Sequence, residues 1–203
     1  MRSGVILVDM NYDNKKGRIE PAIILFQQGK LCSDGGGQYD EIDENESCTA
    51  SRELREESAN LICISPNSLE TCPKYIQIDR RRKMCYYFVG INSCDIDLSL
   101  FENNRRIIRK YKDSLQCWKE TQHIRVFYIS DIKDMLQTST DMRLRDVNEL
   151  VELQIALKFR RLFYILEEYV LRKSIPRLDI IKSGKDINSQ DSIFLKGTTS
   201  FLF

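Results

Sequence analysis

The run Arg52-Glu53-Leu54-Arg55-Glu56-Glu57 sets three carboxylates at i, i+3 and i+4. On a helix that turns ~100° per residue, Glu53, Glu56 and Glu57 fall within one arc of roughly 100°. Carboxylates so placed repel one another by roughly 0.2–0.5 kcal/mol per pair unless something cationic sits among them. Arg52, one turn before Glu56, relieves part of that repulsion, and a divalent metal would relieve more. Mg2+ and Mn2+ suit such a group, because they take a few carboxylate oxygens, keep several waters and accept phosphate oxygens from a substrate. Ions held this way offset charge on the attacking and leaving oxygens of a displacement at phosphorus. An acidic stripe on a helix is equally the pattern of a solvated surface, so the neighbouring residues decide between the two.

Those neighbours are distinctive. From Gln38 to Glu57 there are eight acids against Arg52 and Arg55, a local charge of −6 in a chain whose total is +1. Local acid inside a mildly basic body suits a cation site that must also receive an anion. Asp34-Gly35-Gly36-Gly37 precedes the acidic stretch and reads as a turn, with Gly36 and Gly37 lying under phosphates, since glycine lets backbone approach a ligand closely. The carboxylate helix is expected from about Cys48 to Ala59, with Ala50, Leu54 and Leu61 on the adjoining arc against a sheet.

The elements that would position this helix follow from periodicity. Apolar, β-branched runs at 4–9 and 21–27 predict a hairpin, and further strands are expected at 61–65, 74–79, 83–91 and 124–129. Residues 92–117 read as a basic insertion with a short helix carrying Arg105, Arg106, Arg109, Lys110 and Lys112. A short helix is expected from Asp131 to Leu136. From Asp146 to about Ser174 apolar residues recur at helical spacing, and Pro176 ends the pattern. One domain over 1–175 is the expectation, followed by a tail, 176–203, without sustained periodicity. Strands alternating with helices predict an α/β or α+β sheet covered on both faces.

The ungapped core Glu44-x7-Arg52-Glu53-Leu54-x-Glu56-Glu57, with Gly37 upstream, resembles the Nudix hydrolase box, G-x5-E-x7-R-E-U-x-E-E-x-G-U with U apolar. Two departures mark a divergent member. Six residues, not five, separate Gly37 from Glu44, and Ala59 stands where the box has its second glycine, followed by Asn60, which tolerates the left-handed conformation. Ser3-Gly4-Val5-Ile6 is similar to the family's opening strand, and the stretch from Trp118 to Ile132 to its late strand and short helix.

The resemblance implies an α/β/α sandwich with a mixed central sheet and an extended C-terminal helix. It also implies a metal-dependent pyrophosphohydrolase that cleaves a nucleoside diphosphate linked to another group. By it, Glu56 and Glu57 are prime ligands of Mg2+ or Mn2+, and Glu53 is a further ligand or the base. Arg52 orients Glu56, Glu44 supports the loop, and Glu120 is the candidate fourth acid.

The partner is then a phosphorylated small molecule or capped RNA. Arg80-Arg81-Arg82-Lys83 and the cations of 105–112 suit a polyanion, with Arg82 and Lys83 as candidate substrate contacts. An mRNA cap (decapping), a dinucleoside polyphosphate and a diphosphoinositol polyphosphate all fit, as does a non-catalytic nucleotide- or RNA-binding module of the same fold. Tyr39, Tyr86, Tyr87 and Trp118 are candidates to stack on a base.

Seven cysteines, an odd number without C-x-x-C spacing, argue for packed reduced thiols, and a single histidine, His123, leaves little for zinc. No apolar stretch approaches the roughly 18 residues of a membrane span. A cytoplasmic or nuclear protein is the expectation.

Overall fold

The computed structural model describes residues 1–13, 19–29, 31–79, 82–110, 117–138, 154–155, 157–172 and 175–178. Strand β1 (Arg2–Asp13) is the centre of the sheet. It pairs antiparallel with β2 (Ile19–Gln28) and with β4 (Gly35–Gln38), and parallel with β6 (Arg82–Gly90). β5 (Lys74–Asp79) lies antiparallel on β6, while β2 also receives β7 (His123–Tyr128) and β3 (Leu31–Ser33). β8 (Gln154–Ile155) runs parallel to β3. Among the described residues this is one mixed sheet of eight strands.

β1 is apolar on both faces because both faces are covered. Val5 and Leu7 enter one core with Phe26, Ala50, Leu54, Phe101, Ile108 and Trp118, whereas Ile6 and Val8 enter a second with Ile23, Phe127, Phe163 and Leu166. The first core is roofed by α1 (Glu46–Glu57), α2 (Pro66–Glu70), α3 (Leu98–Lys110) and α4 (Cys117–Glu120). The second is roofed by α5 (Ile129–Thr138) and α6 (Leu157–Leu171). The expected α/β class with a mixed central sheet between helical layers is what the structure has. No helix among the described residues is long and apolar enough to cross a membrane.

Four expectations need correction. Gly35–Gln38 is a strand, not a turn, because glycines on β1 and β4 face each other and let the two backbones close in. A Cβ on Gly36 would fall 2.6 Å from the Ser3 carbonyl oxygen, and one on Gly4 would fall 2.9 Å from the Gly36 Cα.

Residues 61–65 form no named strand. Leu61, Ile62 and Ile64 are buried, but side chains of α1 and its cap take backbone groups of Ile62 and Ile64. Ser58 Oγ accepts from the Ile62 amide at 3.0 Å, and Ser51 Oγ donates to the Ile64 carbonyl at 2.6 Å. Of the expected helix over 146–174, residues 157–171 form α6 and Gln154–Ile155 pair as β8, while 146–153 lie outside the described residues.

Finally, the short helix expected within the basic insertion is a helix of 13 residues, α3, packed into the first core. Phe101, Asn104, Arg105 and Ile108 form an i, i+3, i+4, i+7 stripe buried against the first core. Most of the tail, from 179 onward, falls outside the described residues, as do Arg80, Arg81 and Lys112.

Candidate active site

Helix α1 begins two residues earlier than its periodicity suggests, because Asn45 caps it: the side chain accepts from the Cys48 amide at 2.9 Å. It ends at Glu57 with Ser58 as its cap, and both following residues are left-handed, Ala59 at φ 51° and Asn60 at φ 62°. Asn60 was the expected left-handed residue, and the turn begins one position sooner. A left-handed non-glycine residue costs about 1–2 kcal/mol, less for asparagine, so this turn needs holding from outside. The helix is fixed to the sheet by Ala50 and Leu54, both fully buried. Its register turns Arg52, Glu53, Glu56 and Glu57 toward the ends of β2 and β4.

Arg52 is the hub. Its Nε and Nη2 form a fork on Asp43, donating to Oδ1 at 3.1 Å and to Oδ2 at 2.8 Å. Nη2 also donates to the Gln38 carbonyl at 2.9 Å, on the last residue of β4. Nη1 donates to Glu53 Oε1 at 3.0 Å and reaches both oxygens of Glu56 at 3.4 Å. The guanidinium therefore ties the acidic loop, the glycine strand and two of the three helix carboxylates together. Burial opposes its charge, yet Asp43, Glu53 and Glu56 hold the proton on more tightly than usual. At Asp43 burial alone would raise the carboxyl, but the hydrogen bonds from Arg52 and the Asp40 backbone and the Arg52 charge outweigh it, leaving the group below its ordinary value.

Glu53 behaves oppositely: burial, joined by the Glu56 charge, pushes its carboxyl up to about 7, against the pull of Arg52 and Arg2. Between its ordinary 4.5 and about 7 the folded chain keeps a proton that the unfolded chain has released, so stability falls as pH rises through that window. Glu53→Gln removes this dependence. In metal-free buffer above pH 7 it is expected to exceed the wild type by about 1–2 kcal/mol, read as urea midpoints at pH 5 and pH 8; equal pH slopes for the two proteins would refute the assignment.

The Glu53 carboxylate occupies the space a side chain at Gly37 would need, and a Cβ built there lands directly on it. The two glycines therefore predict different failures. Gly36→Ala drives Cβ into the backbone of β1 and should cost about 3 kcal/mol. Gly37→Ala meets the flexible end of Glu53 first and should displace that carboxylate with less loss of stability. Thermal melts of both variants beside metal-dependent turnover distinguish them; the reverse ranking in stability would contradict the packing described.

Glu56 and Glu57 are buried, at 8% and 7% exposure, and the Gln28 side-chain amide approaches Glu57 Oε1 at 3.5 Å. Sequence reading missed Asp43 and Gln28. Asp43 looked like one more acid in a solvated loop, and its one signal was a place next to Glu44, opposite Arg52. Glu44 itself is exposed.

Glu120, the last residue of α4, is exposed, although α4 packs on α1 and Trp118 joins the same core as Leu54. Lys83 is engaged with Glu46 at 2.5 Å rather than with the carboxylate group, and Arg82 lies in β6 with its side chain outside the description. Tyr86 and Tyr87 are fully buried and Trp118 nearly so, which leaves Tyr39 as the exposed aromatic of the four proposed for stacking. The described cysteines carry free thiols. A cavity of about 520 Å³ opens on another side of α1, lined by Ile42, Asp43, Cys48, Arg52, Pro66 and their neighbours, and none of the three helix glutamates lines it.

The donor chemistry of Glu53, Glu56 and Glu57 fits a hard divalent cation, and the missing side chain at Gly37 makes the room that Glu53 uses. Among the described residues, however, no three acidic, histidine or cysteine side chains converge as ligands around one point. Glu53 and Glu56 are gathered on Arg52 instead, and Glu57 faces Gln28.

No protein-family model matches the chain, and neither does any curated protein. Among solved structures the chain is similar to a C. elegans Ap4A hydrolase in a binary complex, at 14% identity over 84% of this chain and 97% of that one, with a TM-score of 0.44. It is also similar to a mutT/nudix family protein from Listeria innocua, at 17% identity over 84% of this chain and 96% of that one, with a TM-score of 0.39.

Proposed function

We propose that the chain is a metal-dependent pyrophosphohydrolase of the Nudix type, cleaving a phosphoanhydride bond. The observation that carries this is the Arg52 hub. Arg52, the arginine that the box pattern specifies, bridges Asp43, Glu53, Glu56 and the end of the glycine strand, so the box segment folds as one unit around buried carboxylates and not as a wet acidic face. Glu56 and Glu57 are assigned as the residues that hold Mg2+ or Mn2+, with Glu53 a further ligand or the acceptor of the water proton. When bound, the metal supplies Lewis acidity and an activated water. Arg52 holds Glu56 in place and keeps the acids at workable mutual distance. Glu120 is a candidate to approach from α4.

A phosphorylated small molecule is the substrate class proposed, a dinucleoside polyphosphate or diphosphoinositol polyphosphate among them. For capped RNA the basic helix α3 supports less than its composition promised. Arg105 is buried against Phe101 and tied to Glu102 at 3.0 Å, leaving Arg106, Arg109 and Lys110 as its exposed cations.

A second reading, a nucleotide-binding module without hydrolysis, is favoured by one observation: Arg52 already pairs with Glu53 and Glu56. Incubation with Mg2+ or Mn2+ and a panel of cap analogue, capped RNA, ADP-ribose, dinucleoside polyphosphates and inositol pyrophosphates separates the two. Metal-dependent turnover supports the enzyme, whereas binding without turnover of any compound supports the module.

A further inference from the structure

The left-handed turn that ends α1 begins two residues after Glu57, and its first residue, Ala59, has no polar side chain to favour that conformation. Asn60 is held within the turn, its amide donating to the Arg55 carbonyl at 2.7 Å and its Oδ1 accepting from the Arg55 guanidinium at 3.3 Å. Ala59 donates its amide within the turn to the Glu56 carbonyl at 3.1 Å, but its own carbonyl is held from elsewhere. Asn104, on α3 and 1% exposed, donates Nδ2 to the Ala59 carbonyl at 2.9 Å. Among the described residues no donor reaches the buried Asn104 Oδ1, so the contact to Ala59 accounts for a polar side chain in an apolar core. Phe101 and Ile108, one turn to either side on α3, pack in the core that holds Leu54 and Ala59, so the donor is delivered by a fixed scaffold. A glycine at 59 would adopt the same backbone without assistance.

We propose that Asn104 is a positioning residue for the carboxylates of α1: by clamping the Ala59 carbonyl it replaces a glycine cap and fixes the C-terminal turn from which Glu56 and Glu57 project. The proposal rests on the reading that those two glutamates hold the metal, and its test includes a measurement that needs no activity. Four proteins are compared: wild type, Asn104→Ala, Ala59→Gly and the double variant. Should Asn104→Ala fail to fold, Asn104→Leu, of similar size and without a donor, takes its place.

Amide hydrogen exchange at Ala59 and Asn60 in metal-free protein is expected to speed up about tenfold or more in Asn104→Ala, and to return to near the wild-type rate when Ala59→Gly is added. With metal and substrate, kcat should fall on the order of tenfold or more with KM little changed, and the same second substitution should restore it. Unchanged exchange in Asn104→Ala, or no rescue by Ala59→Gly, would overturn the clamp. Faster exchange with unaltered kcat would show that Asn104 steadies the turn without positioning the carboxylates. Absence of any turnover in the wild type would count against the enzymatic reading alone, since the exchange comparison judges the clamp by itself.

Discussion

Glu56→Gln is expected to lower metal-dependent turnover by at least about a hundredfold while the protein stays folded. Groups that merely orient a metal ligand typically contribute 10–100-fold, and Glu56 is assigned as a ligand itself. Glutamine keeps the shape, and its carbonyl oxygen can still accept from Arg52, whose Nη1 lies 3.4 Å from the carboxylate. The charge is lost and the packing is retained. The loss should therefore appear in kcat/KM across a Mg2+ titration with little movement of the thermal midpoint. Turnover that survives the substitution would remove Glu56, and with it the site as drawn, from the chemistry. Glu57→Gln provides the companion measurement, because Glu57 faces Gln28 rather than Arg52 and its loss perturbs the hub less.

Arg52→Ala should lower stability by about 3 kcal/mol, as much as Gly36→Ala. It leaves Asp43, whose side chain is 4% exposed, the buried Glu56 and the partly buried Glu53 without their shared cation. Breaking one partner of a buried pair costs about 3–5 kcal/mol, and the lower figure suits side chains that keep some access to water. Arg52→Lys should recover only part of the loss, because an ammonium cannot make the two-pronged contact to Asp43 and also reach Glu53 and the Gln38 carbonyl.

The pH dependence follows from Asp43. Its carboxyl lies below the ordinary 3.8 in the folded chain, so its contribution is fully present above that value and fades as acid carries the pH down through the folded pKa. The gap between wild type and Arg52→Ala, measured by urea denaturation, should therefore be widest near neutrality and shrink below about pH 4. A gap of under about 1 kcal/mol at pH 7 would place the hub among ordinary surface ion pairs.

Much of this arrangement could be read before the structure was known. β1, β2, β5, β6 and β7 were legible because their β-branched runs are bounded by polar breaks, and α1 because its carboxylates and apolar positions share one 3.6-residue period. The misreadings have specific causes. Glycine ordinarily signals a turn, but in Gly35-Gly36-Gly37 it marks a close approach of two strands, and nothing local distinguishes the two uses. Residues 61–65 have the composition of a strand, yet serine hydroxyls from Ser51 and Ser58 take backbone groups that a neighbouring strand would have taken. Arg105 was counted with the basic surface because charge was read by number; the stripe Phe101, Asn104, Arg105, Ile108 was there to be seen at helical spacing. Asp43 carried only a faint signal, its place next to Glu44, since its burial depends on where Arg52 reaches across nine residues of loop and helix.

The two-sided apolar character of β1 leaves its alignment underdetermined by hydrophobicity. Sliding the strand by one residue would exchange Val5 and Leu7 for Ile6 and Val8, apolar for apolar, with little penalty in buried surface. The glycines supply what is missing. Gly4 opposite Gly36 is a steric keyhole that accepts no side chain, and a slip in either direction would bring Ser3 or Val5 against it. The same keyhole fixes where Gly37 falls and hence where the Glu53 carboxylate finds room. A kinetic trap of this fold should thus be a chain with intact cores and a shifted first strand: compact and helical, but with Glu53 turned out of its place.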